Sequence, residues 1–267
     1  MRQAWLIIAH NEFSVLQRLI TLLDAPDSDF YVHFDRKLKD LPELRVEKGR
    51  LSVLTDRIDV RWGTVSQIRV ELLLMKTALS GGPYAHYHIL SGTHLPLKTR
   101  EELVSFYDAH AGEEIMRFWE EDKGDADFKI RRYHFPVRNL KSPRTALRKL
   151  SQWMWTAVLK VQKTLGIRHY TAEEFRKTDQ WLSLTEKACR YLVGHTEYLL
   201  HKYKWAFCPD EYFIASELMK DPGTFTIYDC PGLLHVEFVH ESPKVFSLGD
   251  YARLQETGCF WARKFTA

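Results

Sequence analysis

Apolar and polar positions fall along this chain in blocks that switch between two periods. Ala4-Trp-Leu-Ile-Ile-Ala9 is a continuous apolar run of strand length, the pattern of a strand covered on both faces. Phe13, Leu16, Leu19, Ile20 and Leu23 then recur at helical spacing. Phe30-Tyr-Val-His-Phe-Asp35 reads as a second strand, residues 50–54 as a third, residues 65–79 as a strong helix and residues 84–90 as a fourth strand. A further strand is expected over residues 115–119. This alternation predicts an α/β fold built on a mainly parallel sheet. Such sheets bind ligands beyond the carboxyl ends of their strands, so His10-Asn11-Glu12, Asp35-Arg36 and the Trp62-Gly63 turn should border the crevice.

Composition adds bounds. With 267 residues, 45% hydrophobic and 13% aromatic, the chain can bury one large core, and a single domain is expected. The N-terminus enters an apolar strand at once, and no long uncharged apolar run exists. The expectation is therefore a cytoplasmic protein without signal peptide or membrane span. Cys189, Cys208, Cys230 and Cys259 lack CxxC spacing and read as free thiols. The net charge is +3, yet residues 129–172 carry 11 Lys/Arg and no Asp or Glu, so the remainder sums to −8. Within that stretch Leu147, Leu150, Trp153, Met154, Ala157, Val158, Val161 and Leu165 repeat at helical spacing among basic residues. Such a helix either packs its apolar face on the domain or lies on an anionic membrane, with Trp153 and Trp155 near the headgroups. Residues 129–170 are read as an acceptor-side insertion that touches membrane lipid or a lipid carrier's phosphates. Nucleic acid is not expected, because no zinc, helix-turn-helix or RNP signature accompanies the charge.

The densest chemistry lies in Trp205-Ala-Phe-Cys-Pro-Asp-Glu-Tyr-Phe-Ile-Ala-Ser-Glu-Leu218. Pro209 suits a first helical position, and Asp210 and Glu211 would fall in the first turn, where the helix dipole favours negative charge. Two readings follow: both acids merely complement the dipole, or one of them does chemistry. They point about 100° apart on a helix, so they are not the facing acid and base of a glycoside hydrolase. Neither GxGxxG nor GxxxxGK occurs in the N-terminal half, which removes the usual support for a dinucleotide or P-loop protein. Asp27-Ser-Asp29 and Asp125-Ala-Asp127 sit in turn-like charged stretches, and turn formation explains them better than cation binding.

Seven blocks follow one another in a telling order: Ile7-Ile-Ala-His-Asn-Glu12, Tyr31-Val-His-Phe-Asp-Arg36, Val60-Arg-Trp-Gly-Thr-Val-Ser-Gln67, His88-Ile-Leu-Ser-Gly-Thr-His-Leu-Pro-Leu-Lys-Thr99, Asp179-Gln-Trp-Leu-Ser-Leu-Thr185, Cys208-Pro-Asp-Glu-Tyr-Phe213 and Phe260-Trp-Ala-Arg-Lys-Phe265. In that order the chain resembles glycosyltransferase family 14, which holds core-2 and I-branching β-1,6-N-acetylglucosaminyltransferases, peptide O-xylosyltransferases and many bacterial relatives. The resemblance implies a GT-A fold, inversion at the anomeric carbon and no metal or other cofactor. It implies Glu211 as catalytic base and a donor site formed by His10, Asp35, Trp62, Arg263, Lys264 and, in His240-Glu-Ser-Pro-Lys244, Lys244. Asp179 and Trp181 match an acceptor block, and Glu113 and Glu114 are further acceptor candidates. For His10 and His94 a structural role is the alternative, and for Arg263-Lys264 a solvated tail, against which the flanking Phe260, Trp261 and Phe265 argue. His94 departs from the family, whose Ser-Gly-x-Asp-x-Pro loop often carries Asp there. The implied substrates are UDP-N-acetylglucosamine, with UDP-xylose as alternative, and a glycan acceptor, in a bacterial setting a lipid-linked one for surface polysaccharide. A carbohydrate- or membrane-binding module that keeps the fold without turnover is the non-enzymatic alternative.

Overall fold

The computed structural model describes residues 1–120, 123–135, 137–239 and 242–267. Its first half follows the alternation: β1 (Gln3–Ala9), α1 (Phe13–Leu23), β2 (Ser28–Phe34), β3 (Arg50–Val53), α2 (Ser66–Leu79) and β4 (Tyr87–Ser91). Then come β5 (Leu95–Pro96), α3 (Arg100–Ala109), β6 (Glu113–Met116), α4 (Lys123–Lys129), α5 (Thr145–Thr164), β7 (Ser183–Leu184), α6 (Glu186–Gly194), α7 (Thr196–Lys202) and α8 (Phe213–Leu218). The chain closes with β8 (Thr226–Asp229), β9 (Leu234–His235), β10 (Phe238–Val239), β11 (Ser242–Pro243), α9 (Tyr251–Gln255) and β12 (Trp261–Ala262).

Seven strands form the central sheet in the order β3-β2-β1-β4-β7-β6-β8. All are parallel except β7, which runs against both β4 and β6. The α/β architecture with a mainly parallel, helix-flanked sheet is thus the one found. β1 is central, and its apolar run is covered from both sides: Trp5, Leu6 and Ile7 are fully buried. The polar Gln3 is tolerated there because its Oε1 bonds His88 Nε2 at 3.0 Å. α1 turns Leu16, Leu19, Ile20 and Leu23 inward as read from the sequence, with Val15 buried beside them and Phe13 only half-buried. α3 starts on a complete Thr99–Glu102 capping box, worth about 1 kcal/mol.

Two strands are displaced from their expected ranges. β4 begins three residues late, at Tyr87, where its parallel pairing with Ala4 of β1 starts. β6 begins early, at Glu113, where its parallel pairing with Thr226 of β8 starts, and the buried Glu114 carboxylate accepts from the Thr185 amide (2.8 Å) and hydroxyl (2.6 Å).

The reversal of β7 shapes the site. Its N-terminal neighbours, Asp179 to Trp181, arrive at the same sheet edge as the carboxyl ends of β1, β2, β4 and β6. A second small sheet, β5-β12-β9, brings the C-terminal segment to that edge as well. Among the described residues no helix is long and apolar enough to cross a membrane.

Candidate active site

Cys208 to Glu211 does not open a long helix. Cys208 takes a left-handed backbone (φ 47°), residues Pro209–Glu211 make one 3-10 turn, and Tyr212 separates that turn from α8, only six residues long. The helix dipole expected to hold the two acids is therefore replaced by specific partners. The left-handed residue costs about 1–3 kcal/mol and is held by the Cys208 amide donating to the Gly63 carbonyl at 3.1 Å. Gly63 is required in turn: it has φ +73°, and a Cβ there would meet the Phe207 ring at 2.6 Å.

The two acids part company at this turn. Glu211 is part-exposed, and Lys129 Nζ donates to its Oε2 at 2.7 Å, with Lys177 Nζ at 3.8 Å. Both lysines also hold Asp125, at 3.3 and 2.7 Å, which explains one Asp-x-Asp tripeptide as the anchor of a lysine pair. Asp127 pairs with Arg132 and Arg168, Asp27 with Arg100, and Asp29 with Arg2. Among the described residues Glu211 Oε1 has no protein partner.

Asp210 turns inward. Gln67 Nε2 donates to its Oδ2 at 2.9 Å, and burial followed by the neighbouring Glu211 charge pushes its carboxyl up to about 7. Behind it lies Glu71, fully buried, accepting from Gln180 Nε2 at 2.7 Å. Burial, then Asp210, raises its pKa well above the carboxylate range, so it is held as the neutral acid. Sequence reasoning missed this network, although Gln67 and Glu71 lie four apart on a helix whose neighbours Ile68, Val70 and Leu72 are apolar. A polar pair on a buried face was the available signal.

The basic tail is docked rather than solvated. Trp261 and Phe265 are buried, the Phe265 amide donates to the Thr93 carbonyl at 3.0 Å, and the Phe246 amide donates to the Lys264 carbonyl at 2.7 Å. Glu12, at the end of the first block, clamps the last residues: Thr266 Oγ1 and the Ala267 amide donate to its Oε2 at 2.9 and 3.2 Å. So placed, Arg263 lies within electrostatic reach of Asp179, Asp210 and Glu211, while burial lowers its pKa to about 10. Its Nε is buried with no partner among the described residues. Lys264 has no ion-pair partner among them either, and its charge, after burial, helps lower the His10 pKa.

The remaining candidates divide. His10 and Asp35 follow β1 and β2 at this edge, Asp35 accepting from the Lys37 amide and Nζ at 2.8 and 2.7 Å. Trp62 is 45% exposed, with Lys141 Nζ 3.8 Å from its ring centre and Phe207 at its edge. Asp179 is buried in a bidentate pair with Arg117 (2.5 and 2.9 Å) and also accepts from Trp119 Nε1 at 3.0 Å. Trp181 is packed between His94 and Arg263, so it lines the wall rather than offering a free face. His94 is buried, its Nδ1 accepting from the Ser91 amide at 3.1 Å; burial and then Arg263 keep it neutral.

Two candidates are not brought to the crevice, and a third, Lys244, lies beside Lys264, whose amide donates to its carbonyl at 3.5 Å, but has its amine engaged elsewhere. Glu113 and Glu114 begin β6, at the opposite edge of the sheet from the strand ends that form the site. Glu113 there pairs with His110 at 2.6 Å, and burial raises Glu114 to about 7. Lys244 is committed to Glu237 at 2.6 Å, which also draws Arg253 and His235. His240 and Glu241, from the same stretch, lie outside the described residues. Among the described residues no group of three or more His, Cys, Asp or Glu is placed to hold a metal ion.

This arrangement, a part-exposed carboxylate within electrostatic reach of the docked Arg263 at a parallel-sheet edge, coincides with a family match. Residues 3–226 match the description Core-2/I-Branching enzyme. The chain belongs to that glycosyltransferase family. Within it, rat xylosyltransferase 2 is 24% identical over 297 residues, covering 99% of this chain and 32% of the rat protein. The Drosophila melanogaster xylosyltransferase oxt is 29% identical over 114 residues, or 38% of this chain and 12% of its own. The chain therefore spans about a third of the rat xylosyltransferase. Among solved structures, mouse xyloside xylosyltransferase 1 in its apo form covers 97% of both chains at 10% identity, with a TM-score of 0.39. The Core-2/I-Branching match includes Glu211 and ends before Arg263, which the tertiary structure brings within electrostatic reach of Asp179, Asp210 and Glu211.

Proposed function

We propose that this chain is an inverting glycosyltransferase that moves a sugar from a uridine diphosphate donor to a hydroxyl of a glycan acceptor, without a divalent cation. The observation that carries the reading is the burial of Arg263 Nε within electrostatic reach of Asp210 and Glu211, a cation and carboxylates from distant parts of the chain at one sheet edge. In-line transfer needs both. Glu211 takes the acceptor proton on Oε1 as the new bond forms at the anomeric carbon and the bond to the diphosphate breaks. Arg263 and Lys264 receive the charge that develops on the leaving nucleotide, and the partnerless Arg263 Nε supplies one N–H for it. His10, Asp35 and Trp62 lie on the nucleoside side of the same edge.

UDP-N-acetylglucosamine is the first donor to test, and the xylosyltransferase names of the relatives favour UDP-xylose as the second. The proposed acceptor is a lipid-linked glycan, extended during bacterial surface polysaccharide synthesis at the inner membrane face. The decisive assay measures UDP release in EDTA over a donor panel, for the wild type and Glu211→Gln. Turnover that survives EDTA and is lost in the variant supports the proposal. Turnover that returns only with added manganese defeats the metal-independent part. No turnover with any donor, beside unchanged glycan binding by the variant, points to a binding module instead.

A further inference from the structure

α5 is mounted with its apolar stripe outward. The helix buries Ser151 and Gln162, and it is tied down by polar contacts on that side. Gln162 brackets the Tyr133 backbone, accepting from its amide at 2.8 Å and donating to its carbonyl at 2.9 Å, and Trp155 Nε1 donates to His134 Nδ1 at 2.8 Å. Trp155, expected beside Trp153 at a lipid headgroup, instead packs on Phe207 at 5.2 Å. Leu147, Leu150, Trp153, Met154, Val161 and Leu165 are left exposed, Trp153 by 69% and Leu165 by 67%. Of the two outcomes the sequence left open for this stripe, packing on the domain is confined to the half-buried Ala157 and Val158, because the inward side is claimed by hydrogen bonds to Tyr133 and His134.

An apolar stripe of this length on a soluble surface marks an interaction face. Its rim identifies the occupant by charge: Arg148, Lys149, Lys160 and Lys163 lie on the same helix, and none has an ion-pair partner among the described residues. Of the 11 Lys/Arg in the surrounding stretch, Lys129, Arg132, Arg138 and Arg168 pair with acids from outside it, so the charge directed at an anionic surface is chiefly that of the α5 rim. We propose that α5 is a membrane-docking surface, seating the chain on an anionic bilayer with its apolar stripe at the acyl boundary and its basic rim among the headgroups. Trp155 touches Phe207, which packs on Trp62 at 5.1 Å, so docking there holds the bilayer beside the crevice mouth. The surface stands on exposure and charge alone and does not depend on the transfer reaction.

The test is vesicle sedimentation without donor or acceptor, using phosphatidylcholine vesicles with and without about 30% phosphatidylglycerol. The wild type is expected to bind the anionic vesicles, to weaken as salt rises, and to bind the neutral ones at least about tenfold less. Lys149→Gln, Lys160→Gln and Lys163→Gln together should cost about a hundredfold, at roughly fivefold per lysine. Leu150→Glu with Trp153→Glu should cost at least about tenfold while near-UV circular dichroism stays unchanged. Should that variant misfold, quenching of wild-type tryptophan by brominated lipid, lost in Trp153→Phe, reads insertion directly. Negligible or equal binding to both vesicles overturns the proposal. So does lipid-free self-association abolished by the Leu150/Trp153 change, which would assign the stripe to a second copy of the chain.

Discussion

At Glu211 the carboxylate is held through Oε2 by Lys129, in a part-exposed turn, whereas its neighbour Asp210 is sealed against Gln67. Two adjacent acids thus meet different environments, and only the exposed one can reach a substrate proton. Glu211→Gln is expected to lower kcat by roughly a hundred- to ten-thousandfold with donor KM little changed, read by UDP release. Glu71 is tested through pH. Its native pKa is raised, so the folded state keeps the proton after an unfolded carboxyl, near 4.3, has lost it. Its contribution to stability is full below that value and declines as pH rises towards the native pKa. Glu71→Gln should therefore gain stability relative to wild type as pH rises from about 4 through 8, measured as the difference in Tm. A difference that stays flat over that window would refute a neutral Glu71. The acids themselves were readable from Cys208-Pro-Asp-Glu. Lys129 and Lys177 were not, because an ion pair across so many residues leaves no local pattern.

At the scale of the element, periodicity located α5 and gave its length, but which side of it faces inward was settled by partners elsewhere in the chain. His134 is the test. It is buried and held neutral, accepting from Trp155 on Nδ1 while Nε2 bonds the Phe128 carbonyl at 2.7 Å. Burial lowers its pKa to about 4 against the ordinary 6.5, so the unfolded state binds a proton first as the solution is acidified. The stabilisation is full above pH 6.5 and is lost as pH falls towards 4, by about 3 kcal/mol at most. Protection of α5 amides, corrected for the intrinsic exchange rate at each pH, should fall over that interval ahead of the central sheet, and a helix equally protected at pH 7 and 4.5 would count against this account. The catalytic turn makes the same point. Pro209 correctly marked the start of a helical segment, yet Cys208, pinned to Gly63, and Tyr212 cut it to a single turn.

Over the whole molecule, the site is assembled where parallel strands end, and the antiparallel β7 and the docked tail complete it. Glu12 holds the tail by two hydrogen bonds, to Thr266 and Ala267, and with it Arg263 and Lys264. Glu12→Ala should raise donor KM about tenfold and lower Tm by a few degrees, since each of the two bonds is worth about 1 kcal/mol. Arg263→Met should instead lower kcat by about a hundred- to a thousandfold, as expected for loss of charge stabilisation at a leaving group. If the Glu12 change affects only kcat, the clamp has been assigned the wrong task.

By itself the sequence determined the βα alternation, the central buried strand, the basic helix and the turn with its two acids, because each is written in neighbours a few residues apart. Only the tertiary structure decided that Glu113 and Glu114 lie at the far edge, that Lys244 is occupied by Glu237, and that α5 turns its apolar side out. Those outcomes depend on strand direction and on hydrogen-bond and ion-pair partners remote in the chain, and side-chain periodicity carries no record of either.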